Sequence, residues 1–339
     1  MMKPPGAMRK RTNRRRFMQY GAGTGAALTV PYLVYAQGDN TRDDPPASEQ
    51  ESDVTPEDSG TTPETETESP PVSSGDADIS AIGDGLFPEN RVLLYYGFPE
   101  NPNMGILGEY PPDELFAKLQ EQGEEYKAAD PDRPLKLGLE LIASVAQGSP
   151  QEDNSWVADT DGHWLDMYTE FTAKNDMVLF LDVQMGYRTP YDDYIGLERW
   201  LVEPHVHLGI DPEFHMHGDE IPGQHLGGVD ASDIAIAQQY LIDLAAKHKL
   251  PRKSLIVHQF ELSMIENKDQ LVPMDGVDLI IDMDGWGPPH LKQETYSVVI
   301  TQQEIEYNGV KLFYRQDEPL MSAEEVLALS PVPDLVIYQ

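Results

Sequence analysis

Eight short aliphatic or β-branched runs recur along this chain, each followed by a polar loop and a segment with helical spacing, and that rhythm leaves few folds open. The runs lie at 91–96, 135–142, 177–183, 205–210, 254–259, 277–283, 310–314 and 334–338. They are continuous in apolar character, as strands of a parallel sheet are when both faces are covered. Eight such strands joined by crossover helices predict an α/β fold, a (β/α)8 TIM-type barrel over residues 86–339. An open doubly wound sheet is the alternative, but no Gly-rich phosphate loop follows the first run, where that fold would carry one.

Local signals place the helices. Pro111-Pro112-Asp113 starts one that buries Leu115, Leu119 and Tyr126, and Asp230 caps another whose apolar stripe runs through Ile234, Leu241, Leu244 and Ala245. Ser322 with Glu325 forms a capping box, and Leu250-Pro251 ends a helix before the next strand. The segment 296–300 suits a strand or a helix; it is read as helix, because eight alternations then remain.

The 339-residue chain has a formal net charge of -35, unevenly spread. Residues 1–36 carry seven bases and no acid, and Asn13-Arg14-Arg15-Arg16-Phe17-Met18 resembles the twin-arginine export signal. A mildly apolar run at 20–35 and the small residues Val34 and Ala36 predict a signal peptide at 1–36, cleaved after Ala36; an uncleaved anchor is the alternative. The twin-arginine translocase would then be a partner during export. Residues 37–85 hold Asp, Glu, Thr, Ser, Pro and Gly with little to bury, which predicts a disordered acidic linker. The remaining segment carries 45 acids against 16 bases, so neither nucleic acid nor anionic lipid is expected as a partner. No cysteine is present, which removes disulfides, thiolate metal sites and a lipoprotein anchor.

In a barrel of this kind chemistry sits at the carboxyl ends of the strands. Those ends are polar: Tyr95 and Tyr96, Glu140, Asp182 and Gln184, Asp211 with Glu213 and His215, His258 and Gln259, Asp282 and Asp284, and Gln316, Asp317 and Glu318. Residues 205–217 deliver Asp211, Glu213, His215 and His217 two apart, which in extended backbone directs them to one side. Two carboxylates on one side push their pKa values apart, leaving an acid beside an ionised partner, and glycoside cleavage needs such a pair. Candidate catalytic residues are Glu213, Asp211, Asp282 and Asp317; candidate substrate-binding residues are Tyr96, Glu140, Asp182, Gln184, His215, His258, Gln259, Asp284 and Trp286. Trp156, Trp164, Tyr95 and Tyr187 add aromatic faces near the loop ends that suit pyranose rings. His215, His217, His258 and Asp282 form an alternative metal set, whereas His205 and His207 lie at the opposite end of their strand and read as structural.

The Asp211-Pro212-Glu213 step resembles the catalytic pair of barrel-type cell-wall lysozymes and, more loosely, of the chitinases, which implies Glu213 as general acid. The first-strand aspartate of the lysozyme pattern is replaced here by Tyr95-Tyr96-Gly97. Another barrel class places its acid after strand four and its nucleophile after strand seven, which would match Glu213 and Asp317. Over the whole domain the order Tyr-Tyr-Gly, Leu-Asp-Val-Gln at 181–184, Asp-Pro-Glu-Phe-His-Met at 211–216, Val-His-Gln-Phe at 257–260 and Asp-Gly-Trp-Gly at 284–287 resembles a group of exported bacterial proteins with a glycosidase-like barrel. The expectation is an exported glycoside hydrolase-like protein acting on a cell-surface or environmental polysaccharide with no cofactor. A noncatalytic carbohydrate- or wall-binding barrel and a metal-dependent hydrolase are the alternatives.

Overall fold

The computed structural model describes residues 77–339. The expected signal peptide, and the expected linker up to residue 76, lie outside the described residues. Eight parallel strands form the barrel: β1 Arg91–Gly97, β2 Leu135–Ala146, β3 Val178–Val183, β4 Val206–Ile210, β5 Lys253–Gln259, β6 Val277–Met283, β7 Tyr307–Leu312 and β8 Leu335–Tyr338. They pair in sequence order, and β1 also pairs with β8, so the eight strands close into a barrel; a short antiparallel strand, Val157–Asp159, pairs with the end of β2 alone. This is the (β/α)8 barrel the eight runs predict.

The connecting helices form where the local signals place them. Helix α1, Pro112–Ala129, has Pro112 in its first turn and buries Leu115, Leu119 and Tyr126, one face at three- and four-residue spacing. Helix α2 is Gly162–Lys174, and Asp161 caps it by accepting from the His163 N–H at 2.9 Å. Two short helices, α3 Pro190–Ile195 and α4 Glu198–Leu201, lead into β4. Helix α5, Ala231–His248, begins with a reciprocal capping box between Asp230 and Asp233 and ends at left-handed Lys249. Helix α6, Pro289–Tyr296, continues into a π-turn at Ser297–Thr301, so 296–300 is helical. Helix α7, Ala323–Leu327, carries the Ser322–Glu325 box.

Three details depart from the sequence expectation. Among the described residues the β5–β6 connection holds 3-10 turns and no α-helix, because 260–276 lacks a helical apolar stripe and places Asn267 in the left-handed region. Strand β7 begins at Tyr307, not near 310: its Tyr-Asn-Gly opening looks like a turn, yet Tyr307 stacks on Phe87 at 4.9 Å and Gly309 pairs with Asp282. The packed chain also begins before residue 86, since the Gly83 N–H donates to Leu250 O at 2.9 Å and Ala77 and Ile82 rest on the core.

Burial divides into two layers, one between strands and helices and one inside the barrel, where Val92, Leu94, Tyr96, Ile142, Val178, Phe180, Ile256, Ile280, Leu335 and Ile337 meet. Each fully buried aliphatic side chain contributes about 1.5–3 kcal/mol. Toward the amino ends of the strands, His207 accepts from the Ser254 N–H at 3.0 Å and stacks on Phe180, and His205 pairs with Thr169 O at 3.1 Å. Both act in packing there. No helix of the described residues is long and apolar enough to cross a membrane.

Candidate functional site

The period-two alternation that sends Val92 and Leu94 into the barrel also sends Tyr96, and the same parity turns Glu140, Asp182, His258, Asp282 and Lys311 inward from five further strands. Toward the carboxyl ends the aliphatic interior therefore gives way to a buried ionisable tier. His258 sits at its centre: Nδ1 lies 3.0 Å from Asp282 Oδ2, and Nε2 lies 3.1 Å from Glu140 Oε1 and 3.8 Å from Asp182 Oδ1. The Tyr96 hydroxyl donates to Asp182 Oδ2 at 2.9 Å. Lys311, which sequence reasoning passed over because it lies within an apolar run, places its ammonium 3.4 Å from the Tyr96 ring centroid and 4.0 Å from Asp284 Oδ2.

Two glycines make room for these groups. A Cβ on Gly209 would stand 3.0 Å from Glu140 Oε1 and 3.1 Å from Asp182 Oδ1, and one on Gly309 would stand 2.5 Å from Asp282 Oδ1. Without side chains at 209 and 309 the carboxylates occupy the space above them.

Enclosure sets the electrostatics. Burial, opposed by the His258 charge and reinforced by Asp211 and Glu140, raises the Asp182 carboxyl well above the ordinary carboxylate range. Burial works against charge on His258 as well, but Glu140 and the bonds to Asp282 and Glu140 outweigh it, so the imidazole titrates well above its usual range. Tyr96 is raised by burial and then by Asp182, Asp211 and Glu140, which locates Asp211 beside this tier.

Asp211 and Glu213 flank Pro212 at the carboxyl end of β4, where residues 212–214 form a 3-10 turn packed against β5. Both acids are buried, at 2% and 3% exposure, although they lie in the loop that follows the strand. The backbone fixes them: the Asp211 N–H donates to Val183 O at 3.0 Å, and Glu213 O accepts from Gly227 at 2.8 Å.

Asp317 stands apart from the tier in its bonding. Its carboxylate accepts from the Lys292 ammonium at 2.9 Å and from the Gly287 and Phe313 N–H groups at 2.7 and 2.9 Å. Lys292 also donates to Gly285 O at 2.7 Å and Lys311 O at 2.5 Å, so the pair ties the loops after β6 and β7 together. Burial lowers the Lys292 pKa against the pull of Asp317.

Other expected site residues go elsewhere. Gln259 has the outward parity and accepts from Lys268 at 2.6 Å, and Gln184 accepts from the Ala146 N–H at 3.2 Å. His215 is bonded to Gly228 O at 2.8 Å and packs on exposed His217, with rings 4.5 Å apart, so this pair is not joined to His258. Tyr95 faces the helix layer among Tyr314 and Tyr338, and Trp164 packs on the strand–helix core, so neither rims the mouth. Trp156 and Tyr187 form a partly exposed pair at 5.8 Å, and Trp286 is half-buried after β6. Among the described residues the group with ligand-like spacing for a metal is Glu140, Asp182 and His258.

No family model matches the chain, and no curated protein matches it. Among solved structures, the crystal structure of a ruminal GH26 endo-β-1,4-mannanase aligns with a TM-score of 0.37 and 10% identity, covering 75% of this chain and 59% of that one. That is a distant likeness of barrel to barrel. The fold and the interior together define a (β/α)8 barrel with a buried carboxylate and histidine tier below its carboxyl mouth.

Proposed function

We propose that the protein is an exported glycoside hydrolase-like barrel that acts on a cell-surface or environmental polysaccharide by carboxylate acid/base chemistry. Glu213 is the general acid and Asp211 its ionised partner. The observation that carries this reading is the Asp211-Pro212-Glu213 turn, which holds two buried carboxyl groups two residues apart at the end of a barrel strand. Loop acids ordinarily face water. Here Pro212 and the backbone bonds of Asp211 and Glu213 fix the turn, as a reacting pair requires. Asp282 lies one strand beyond His258 and serves as a positioning residue, while Asp317 shapes the mouth through Lys292. Trp286 and the Trp156–Tyr187 pair are the partly exposed rings available to stack on sugar.

The test is a glycan-binding and hydrolysis screen of the whole chain, followed by Glu213→Gln and Asp211→Asn. Loss of a general acid lowers kcat by about 10²–10⁴-fold with binding retained. If Glu213→Gln cleaves as fast as the parent, the assignment is wrong. Glycan binding with no turnover by the parent protein would instead make it a carbohydrate-binding barrel.

A further inference from the structure

The tier around His258 has the spacing of a coordination shell. One donor atom each from Glu140, Asp182 and His258 lies within 4.8 Å of the other two, and Nε2 of His258 is 3.1 Å from Glu140 Oε1 and 3.8 Å from Asp182 Oδ1. Around an ion with bonds of about 2.0–2.2 Å, neighbouring donors stand roughly 3.0–3.6 Å apart, so the Glu140 oxygen is already at that spacing from Nε2 and the Asp182 oxygen closes by a few tenths of an ångström on binding. Two independent observations point to a ligand. Glu140 Oε2 and Asp182 Oδ1 are buried with no hydrogen-bond partner, although their side chains are wholly enclosed. The second ring nitrogen of His258 is bonded to Asp282 Oδ2 at 3.0 Å, the arrangement that orients a metal-ligating imidazole. Gly209 leaves the Glu140 and Asp182 oxygens unobstructed on the β4 side.

We propose that Glu140, Asp182 and His258 bind one first-row divalent cation, with Asp282 as the positioning residue that orients His258 through Nδ1. An imidazole with two carboxylates favours a transition ion over Mg²⁺ or Ca²⁺, and affinity order at such a set favours Zn²⁺ over Mn²⁺ or Fe²⁺. The geometry supports a cation: the wholly buried carboxylates Glu140, Asp182 and Asp282 converge on the buried His258 ring from three other strands. The ligands differ from those suggested by sequence spacing, since His215 and His217 are held at Gly228 O. The proposal does not depend on the glycosidase reading.

The experiment is elemental analysis of the full chain purified without a polyhistidine tag, then chelator stripping and calorimetric titration with Zn²⁺ alone. One equivalent of bound metal is expected, with affinity at least 10-fold weaker in Glu140→Gln, Asp182→Asn and His258→Gln. For Asp282→Asn, a loss of about 10–100-fold is expected. The double variant His215→Ala/His217→Ala should bind like the parent. Substituting Co²⁺ gives a ligand-field spectrum that must change in His258→Gln. Absence of stoichiometric metal in the parent after Zn²⁺, Mn²⁺ and Co²⁺ titration overturns the proposal, as does binding that survives Glu140→Gln or follows His215 and His217. The readout is metal, not hydrolysis, so this proposal and the glycosidase reading fail separately.

Discussion

Asp317→Asn asks whether the loop carboxylate after β7 works as a chemical group or as a clamp. The side chain receives three donors, Lys292 Nζ at 2.9 Å, Gly287 N at 2.7 Å and Phe313 N at 2.9 Å. An asparagine of the same shape offers one acceptor oxygen and turns an NH₂ toward one of those donors, while the buried Lys292 charge loses its counterion. Breaking a buried pair from one side costs about 3–5 kcal/mol. For a domain of this size each kcal/mol moves Tm by about 2–4 °C, so a fall of roughly 6–20 °C is expected. Adding Lys292→Met removes the uncompensated charge, so the double variant should be more stable than the sum of the two singles by about 1–3 kcal/mol. Thermal and urea melts of the four proteins measure this. A single variant melting within about 2 °C of the parent, or singles whose effects simply add, would refute the clamp. If a hydrolytic activity is found, turnover by Asp317→Asn at temperatures where it stays folded excludes Asp317 as nucleophile.

Further expectations concern packing and pH. Gly309→Ala places a carbon 2.5 Å from Asp282 Oδ1 and should destabilise by about 1–3 kcal/mol, an effect that shrinks when Asp282 is also replaced by Ala. Equal loss in both backgrounds would show that the crowding is elsewhere. Lys253, buried with its ammonium on Glu203 O and Val206 O at 2.6 and 2.8 Å, has its pKa pushed down to about 7 by burial. The unfolded chain then binds the extra proton between about pH 7 and 10.5, so stability should rise with pH across that window by up to about 5 kcal/mol relative to Lys253→Met. Parallel urea-melt profiles for the two proteins would contradict it. Asp193, raised by burial to about 6 despite Ser144 and Arg188, has the opposite sign: its contribution is present at low pH and is lost as pH rises from about 3.8 to about 6. An Asp193→Asn profile that keeps the parent's fall across that window would refute this assignment.

Much of the architecture was legible because strand and helix periods are local properties. The runs at 177–183 and 277–283 coincide with β3 and β6 within a residue, and the expected cap at Asp230 and capping box at Ser322 open α5 and α7. The start of β7 was not, because Tyr307, Asn308 and Gly309 become a strand through Phe87 and Asp282, residues remote in sequence. For the site, alternation alone separates His258, which faces inward, from Gln259, which faces Lys268. It also marks Lys311 as an interior residue, a signal available in the sequence but hidden by the surrounding apolar run.

The amino-acid order by itself determined a closed eight-stranded α/β barrel and the strand ends at which its acids and histidines lie, since both follow from hydrophobic period and strand polarity. Only the tertiary structure decided which of them meet. Barrel closure brings Glu140, Asp182 and Asp282 around His258 across intervals of up to 118 residues, and the missing side chains at Gly209 and Gly309 give their carboxylates room. Contact across a closed barrel depends on register and on what stands in the way, and neither is a property of a local stretch of chain.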